Sequence, residues 1–485
     1  MGDIFFTLDE NESHIKQVFC DGQEVVLRRF FIQDIECMVA YILGLSDVQN
    51  ISDYLIRPSQ TFAGTIDKSG DIVSEIMHKV CQFAEVAIEY SYGTLIDEMM
   101  KGKAVLFVNN CTHILVLAVD KLKERSISEP PTSAVLKGPR GGFVENIKTN
   151  LSCIRKILGT SKLRSEMMKV GRYTSTQVSI VYIDGIADKS LVNKIKKKIQ
   201  SIDIDGVIDS YYITTFLEER SDSIFKQVGT CEKPDIACAK LLEGRVAILV
   251  DGSPIVLTLP FLLLEDLQSS DDYYSLHARA TMLRILRLIG LFVTLLLPGT
   301  YIAIVLHHYK AIPLKFLITI INTTSGLPLT PFAEILFVLI LFEILYEASI
   351  RMPSYLGLAL SIVGALILGD TAVKAGLISP PAVMLVAVSG MTLYTIPEQS
   401  PQLSILRLLF TLAGGFLGLF GVVALFIYLL FYLNDFDCYG APYLAPIAPF
   451  VKSDIKDSIY KTDLVHMKSR PKSFKNTNSI RQGGR

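Results

Sequence analysis

Net charge is the first thing this sequence lacks. Its 47 lysines and arginines meet 48 aspartates and glutamates, a formal net of −1, so no basic field exists to draw in a nucleic acid. A secretory leader is missing as well. The stretch 1–11 carries three acids (Asp3, Asp9, Glu10) and no basic residue, the reverse of such a leader, and the N-terminal half is expected to stay in the cytoplasm. The cysteines of that half (Cys20, Cys37, Cys81, Cys111, Cys153, Cys231 and Cys238) have no zinc-ligand spacing, and Cys231 and Cys238 stand too far apart for a C-x-x-C pair. They read as reduced thiols packed as small core residues. No G-x-S-x-G elbow, H-E-x-x-H helix or dinucleotide fingerprint is present, and the glycines of Gly138–Gly142 lack the Walker spacing. Neither an enzymatic activity nor a metal or cofactor is expected.

A second shortage is local. Between Leu288 and Asn434 only ten formal charges occur: Lys310, Lys315, Glu334, Glu343, Glu347, Arg351, Asp370, Lys374, Glu398 and Arg407. A chain divided this way joins a water-solvated module to a lipid-solvated one. Its 485 residues suffice for several cores. The expected fold class is an α/β soluble N-terminal half of two tandem related subdomains plus an all-α polytopic transmembrane C-terminal half. The expected order is subdomain 1 (1–125), a Pro/Gly-containing connector (126–164), subdomain 2 (165–270), a basic interfacial helix (271–287), a transmembrane domain of four to six segments (288–434) and a basic tail (435–485).

The tandem arrangement rests on a repeat. Val39-Ala-Tyr-Ile-Leu-Gly-Leu-Ser-Asp47 is an apolar run broken at Gly44, and Ile180-Val-Tyr-Ile-Asp-Gly-Ile-Ala-Asp188 repeats it with Gly185 in that place. Lys101-Gly-Lys-Ala-Val-Leu-Phe-Val-Asn-Asn110 is matched by Glu243-Gly-Arg-Val-Ala-Ile-Leu-Val-Asp-Gly252, with Gly102 and Gly244 at nearly the same offset. Each repeat reads as strand, turn, helical material and hairpin. Ala104–Val108 and His113–Val119 flank the first turn; Val246–Val250 and Ile255–Leu259 flank the second.

In the C-terminal half, Leu288–Leu306, Pro331–Ile350, Tyr355–Val373, Ile378–Ile396 and Leu408–Leu433 are apolar runs of about 20 residues, enough to cross a bilayer. Ile312–Ile321 reads as re-entrant, interfacial or part of a sixth crossing. An even number of crossings suits the tail, where Lys468, Arg470, Lys472, Lys475, Arg481 and Arg485 occur without an acid and favour the cytoplasm. Arg279, Arg284 and Arg287, just before the first span, are expected to anchor on anionic headgroups of membrane lipids. Gly357, Ser361, Ala365 and Gly369 make one helix-packing face, and Gly414, Gly418 and Gly421 another. A carboxylate at the bilayer centre costs about 2.5–3.5 kcal/mol and needs water or a partner. Glu343, Glu347 and Glu334 are therefore candidate ion-pathway acids. The plainer alternatives are a Glu347–Arg351 pair and a Glu334 held near headgroups; Glu343 has no base within one turn of its own helix. His307 and His308 read as interfacial anchors.

Taken in order, Arg125-Ser-Ile-Ser-Glu-Pro, Gly138-Pro-Arg-Gly-Gly-Phe-Val-Glu145 with Asn150, Pro234-Asp235, Glu243 to Asp251, Asp272-Tyr-Tyr274, and Glu343-Ile-Leu-Tyr-Glu-Ala348 with Arg351 and Pro353 resemble the A-subunit family of bacterial spore germinant receptors, the GerA family. The resemblance spans almost the whole chain. It implies a multi-pass protein of the spore inner membrane, acting with a transporter-like B subunit that binds the nutrient and a lipoprotein C subunit. It also implies a homo-oligomeric ring, proposed as a pentamer, that forms a nutrient-gated cation channel. Arg125, Glu129, Arg140 and Glu145 are candidate subunit or inter-domain contacts. The sequence departs from the family pattern at Ser133, Lys137, Leu339 and Tyr346; without an acid at 339, fewer carboxylates remain for a pore. The departures leave open an accessory protein of the spore dipicolinate channel, and a secondary transporter with a regulatory domain or a membrane scaffold remain alternatives.

Overall fold

The computed structural model describes residues 4–19, 25–67, 70–119, 137–351 and 370–483. The chain divides into two compact units, one of Met1–Ser221, Val228–Pro260 and Lys468–Arg485, the other of Asp222–Gln227 and Phe261–Met467.

The first unit is a duplication. Strands β1 (Val25–Ile32), β2 (Ile35–Ile42), β3 (Val86–Glu89), β4 (Ala104–Val108) and β5 (Ile114–Leu117) form one sheet in the order β1-β2-β4-β5-β3. Strands β6 (Leu163–Val170), β7 (Thr176–Ile183), β8 (Gly229–Cys231), β9 (Val246–Val250) and β10 (Val256–Leu259) form a second, ordered β6-β7-β9-β10-β8. Every pairing is antiparallel, so the expected α/β character is corrected: these are antiparallel sheets with helices laid on them. In the first repeat, Val39, Leu106 and Leu115 face one core under the helices of 48–61 and Ile72–Lys79. Met38, Val105 and Val116 face the other, under Leu8–Val18 and Tyr92–Met100.

Matched residues do matched work. Gly44 and Gly185 both turn the chain out of a central strand, at φ +93° and +82°, a left-handed conformation that a Cβ disfavours. Three residues later Asp47 and Asp188 cap the following helices through the N–H groups of Gln49 and Ser190, each at 3.0 Å. Gly244 ends the Pro234–Glu243 helix at φ +103° and Gly102 has φ +98°.

Helix α1 (Ile147–Ile157) opens the second repeat as Leu8–Val18 opens the first, and Ile147, Leu151 and Ile154 pack with Val181 and Leu249. The range expected as connector therefore holds an element of the second core; residues 120–136 lie outside the described ones. The tail divides too. Within the first unit, residues 468–483 return to the second repeat: Thr477 N–H donates to Ile186 O at 2.9 Å, Arg470 Nε donates to Leu242 O at 2.6 Å, and the Arg245 guanidinium lies 5.0 Å from the Phe474 ring centre.

The second unit is built on α2 (His277–His307), α3 (Pro331–Arg351), α4 (Pro380–Leu393) and α5 (Ser400–Asn434). Among the described residues, two helical runs are long and apolar enough to cross a membrane, His277–His307 and Pro397–Asn434. The run expected at Ile378–Ile396 is the 14-residue α4, and Ile312–Ile321 falls in the 11-residue helix Leu314–Thr324, both short of a full crossing at 1.5 Å per residue. Most of Tyr355–Val373 lies outside the described residues.

Candidate functional site

Packing of α2 on α5 sets the frame. A Cβ added to Gly414 would lie 2.1 Å from Gly299 O, and one on Gly299 would lie 2.4 Å from Phe410 O. Only glycine on both helices permits that approach, in which dispersion and backbone contact hold apolar helices together. Four residues on, Gly418 has φ +64° and ψ −153° and breaks α5 internally, with His307 packed against it. His307 Nε2 lies 2.9 Å from Gly415 O, so this imidazole is engaged inside the unit. Gly357, Ser361, Ala365 and Gly369 lie outside the described residues.

Above this crossing runs a polar layer. Thr294 of α2 and Ser389 of α4 exchange hydrogen bonds: Ser389 Oγ donates to Thr294 O at 3.2 Å, and Thr294 Oγ1 donates to Ser389 O at 3.3 Å. Thr294 Oγ1 also lies 2.8 Å from Thr392 Oγ1. Arg407 of α5 reaches the same level, with Nη1 3.5 Å from Ser389 Oγ. Its Nη2 donates to Glu343 Oε2 of α3 at 3.1 Å. Exposure divides the pair: the Arg407 side chain is 4% exposed and that of Glu343 48%. An apolar helix tolerates a carboxylate when a base neutralises it, and here the base comes from another helix. Sequence reasoning noted Arg407 as one of ten charges and gave it no role.

The other two pathway candidates differ. Glu334 is buried, and its carboxylate accepts the N–H of Ser379, the N-cap of α4. In this place it satisfies an otherwise orphaned helix-end donor. Glu347 pairs with Arg351 at 2.5 Å, and both side chains are exposed. Each remaining acid of the charge-poor stretch also has a partner: Asp370 with Lys374 at 2.8 Å and Glu398 with Lys226 at 2.7 Å.

Basic residues of the first turns of α2 find partners within the second unit. Arg284 is 1% exposed and donates from Nε to Asp272 Oδ2 at 3.0 Å; Arg287 holds both oxygens of Asp272, at 2.9 and 3.1 Å. Asp457 faces the same guanidinium as Arg284's second acid, at 3.4 Å. Burial pushes the Asp272 carboxyl up, and Arg287, the Ser269 N–H and Arg284 more than offset it, holding the group below the ordinary carboxylate range. Arg284 and Arg287 thus both engage Asp272, whereas Arg279 is exposed. Arg140 and Glu145 are exposed, and the carbonyl of Glu145 accepts Gly252 N–H at 2.8 Å. Arg125 and Glu129 lie outside the described residues. No group of three or more His, Cys, Asp or Glu side chains suited to a metal occurs among the described residues.

The chain is similar to known proteins over nearly its whole length. The family model described as Bacillus/Clostridium GerA spore germination protein matches residues 13–473. Spore germination protein KA of Bacillus subtilis (strain 168) is 34% identical over 485 residues, covering 98% of this chain and 88% of that protein. The uncharacterized membrane protein YfkQ of the same organism is 34% identical over 474 residues, covering 97% of this chain and 92% of its own. Among solved structures, the N-terminal domain of the A subunit of the Bacillus megaterium spore germinant receptor GerK3 is 30% identical, covers 53% of this chain and 96% of that one, and gives a TM-score of 0.42.

Proposed function

The chain belongs to the GerA family of spore germination proteins, and from that membership we propose that it is the membrane subunit of a spore nutrient germinant receptor. In this reading copies of the chain oligomerise as a ring, act with a transporter-like B subunit and a lipoprotein C subunit, and line a nutrient-gated cation pathway through the spore inner membrane. The carrying observation is Glu343, a carboxylate in an apolar helix whose side chain remains 48% exposed within one copy. Such a group is stable in a bilayer where water or a neighbouring subunit covers it, and rings of acids favour cations over anions. An even number of crossings accords with the connectivity, because the chain leaves the first unit after Pro260 and re-enters it at Lys468. The proposed topology is multi-pass, with the duplicated sheets and the tail both cytoplasmic.

The test is flux. In vesicles reconstituted with the full chain and its co-encoded partners, Glu343→Gln is expected to lower nutrient-triggered cation flux while the assembly keeps its mass in detergent. Unchanged flux removes Glu343 from the pathway. A second reading, a secondary transporter, draws support from the interruption of α5 at Gly418, since broken helices mark transport sites. Saturable, substrate-specific uptake by the purified chain alone would favour it.

A further inference from the structure

Resting on the assignment of Glu343 to the pathway, we propose that Arg407 is the internal counter-cation that keeps this carboxylate electrically silent in the resting receptor, and so sets when the pathway favours cations. The two halves of the pair are held unequally. Arg407 is almost fully buried, its Nη1 lies 3.5 Å from Ser389 Oγ, and Ser389 is itself tied to Thr294 by reciprocal hydrogen bonds of 3.2 and 3.3 Å. Its own carbonyl accepts Thr411 Oγ1 at 2.7 Å. The buried guanidinium thus abuts a polar layer contributed by α2 and α4 from its place on α5. Glu343, by contrast, pairs with Arg407 at 3.1 Å from a half-exposed side chain. Rotation of the carboxylate about its own side-chain bonds is the easier motion of the two.

Electrostatics then gives the consequence. While paired, Glu343 and Arg407 sum to zero, and their field falls off as that of a dipole, so a passing cation meets no net attraction. With the carboxylate turned away, a full negative charge faces the exposed side while the positive one stays behind in the packed layer. The attraction is strong at low local dielectric. Ser389 acts as a positioning residue beside the guanidinium, with Thr294 holding Ser389, and both are buried.

The proposal predicts a hierarchy that differs from a merely structural ion pair. Using the full chain in vesicles loaded with potassium chloride, Arg407→Gln is expected to raise the untriggered potassium leak about tenfold with no rise in chloride leak. The double variant Glu343→Gln/Arg407→Gln should return the leak to the wild-type level, because no carboxylate remains. The exchange Glu343→Arg/Arg407→Glu restores a neutral pair and should be as tight as wild type. Oligomer mass in detergent is read for each variant. An assembled Arg407→Gln protein without extra potassium leak overturns the proposal, as does a double variant that leaks as much as the single one. If Arg407→Gln does not assemble, the exchange decides: a tight, assembled exchange supports the pairing, and a leaky or unassembled one overturns it. Failure here is separate from failure of the pathway itself. Glu343→Gln with undiminished triggered flux removes the pathway acid whatever Arg407 does, whereas reduced flux there beside a silent Arg407→Gln removes only the counter-cation.

Discussion

The two repeats of the first unit share one topology, and beside their matched apolar strands and glycines they share polar devices. Asn11 and Asn150 each sit four residues into the opening helix and clamp the backbone six residues earlier. Asn11 accepts Phe5 N–H at 3.2 Å and donates to Phe5 O at 2.7 Å; Asn150 accepts Val144 N–H at 2.8 Å and donates to Val144 O at 2.5 Å. Asp71 caps the Ile72–Lys79 helix through Val73 N–H at 3.1 Å and faces His113 at 2.7 Å; Asp209 caps Ser210–Leu217 through Tyr211 N–H at 3.0 Å and accepts Ser253 Oγ. Both outer partners come from the turn of a hairpin. Apolar core positions accept many side chains of similar volume, whereas a buried N–H or C=O accepts few solutions. Duplicated halves can drift in their cores and still keep these devices.

The sharpest test of that comparison replaces the buried amides. Asn150→Leu leaves both polar groups of Val144 unpaired and is expected to cost roughly 3 kcal/mol, read as a fall in the unfolding temperature of the full chain in detergent. Asn11→Leu should cost about 1 kcal/mol more, because Asn11 also donates to Thr7 O at 2.8 Å and accepts the buried Tyr92 hydroxyl. Equal costs would show that the added partners contribute nothing.

The glycine corners break the symmetry next. At Gly185 nothing lies within 4 Å of an added Cβ, while at Gly44 it would meet Ser152 Oγ at 2.7 Å. Gly185→Ala is expected to cost about 1–2 kcal/mol for the left-handed backbone alone, and Gly44→Ala more than that. The reverse order in thermal unfolding would mean that Ser152 yields freely.

The smallest effect is in acid. Asp71 and Asp209 are both held below their ordinary pKa. At Asp71 the Ser74 hydroxyl lowers it most, burial opposes, and His113 adds; at Asp209 burial pushes up and Ser253 with the helix N–H groups overcomes it. A folded-state value below the unfolded one means that the unfolded chain binds more protons. The caps therefore stabilise fully above a pH of about 4 and lose that contribution as pH falls through the folded-state values. Asp209→Asn should flatten the acid-induced rise in hydrogen exchange of Ser210–Leu217, an effect of about 1 kcal/mol, and leave Ile72–Lys79 unchanged.

How much of this was legible in the sequence follows from the same physics. The β4–β5 and β9–β10 hairpins were visible as unbroken apolar runs around turn residues, and the duplication as glycines at constant offset. The outer strands β1 and β6 were not: Arg28, Arg29, Arg164, Glu166 and Lys169 interrupt them, because an edge strand is only partly buried. Antiparallel order was hidden because pairing partners are set by tertiary contact. Glu343 could be singled out as a carboxylate in an apolar run, but its base lies 64 residues away in sequence. Arg284 and Arg287 looked like headgroup ligands because Asp272, 12 and 15 residues upstream, meets them only where the chain turns before α2, and Asp457, 173 residues beyond Arg284, cannot be placed beside it by periodicity.

The return of residues 468–483 to the second repeat carries a consequence for assembly. The carbonyl of Ile186 waits for Thr477, a residue that follows the entire helical unit in chain order. During synthesis β6 to β10 are complete long before the segment that covers Ile186 exists. The final step in completing this unit is therefore a docking event that waits on everything between Pro260 and Lys468: until the closing segment arrives, the Ile186 carbonyl beside Gly185 lacks its Thr477 partner.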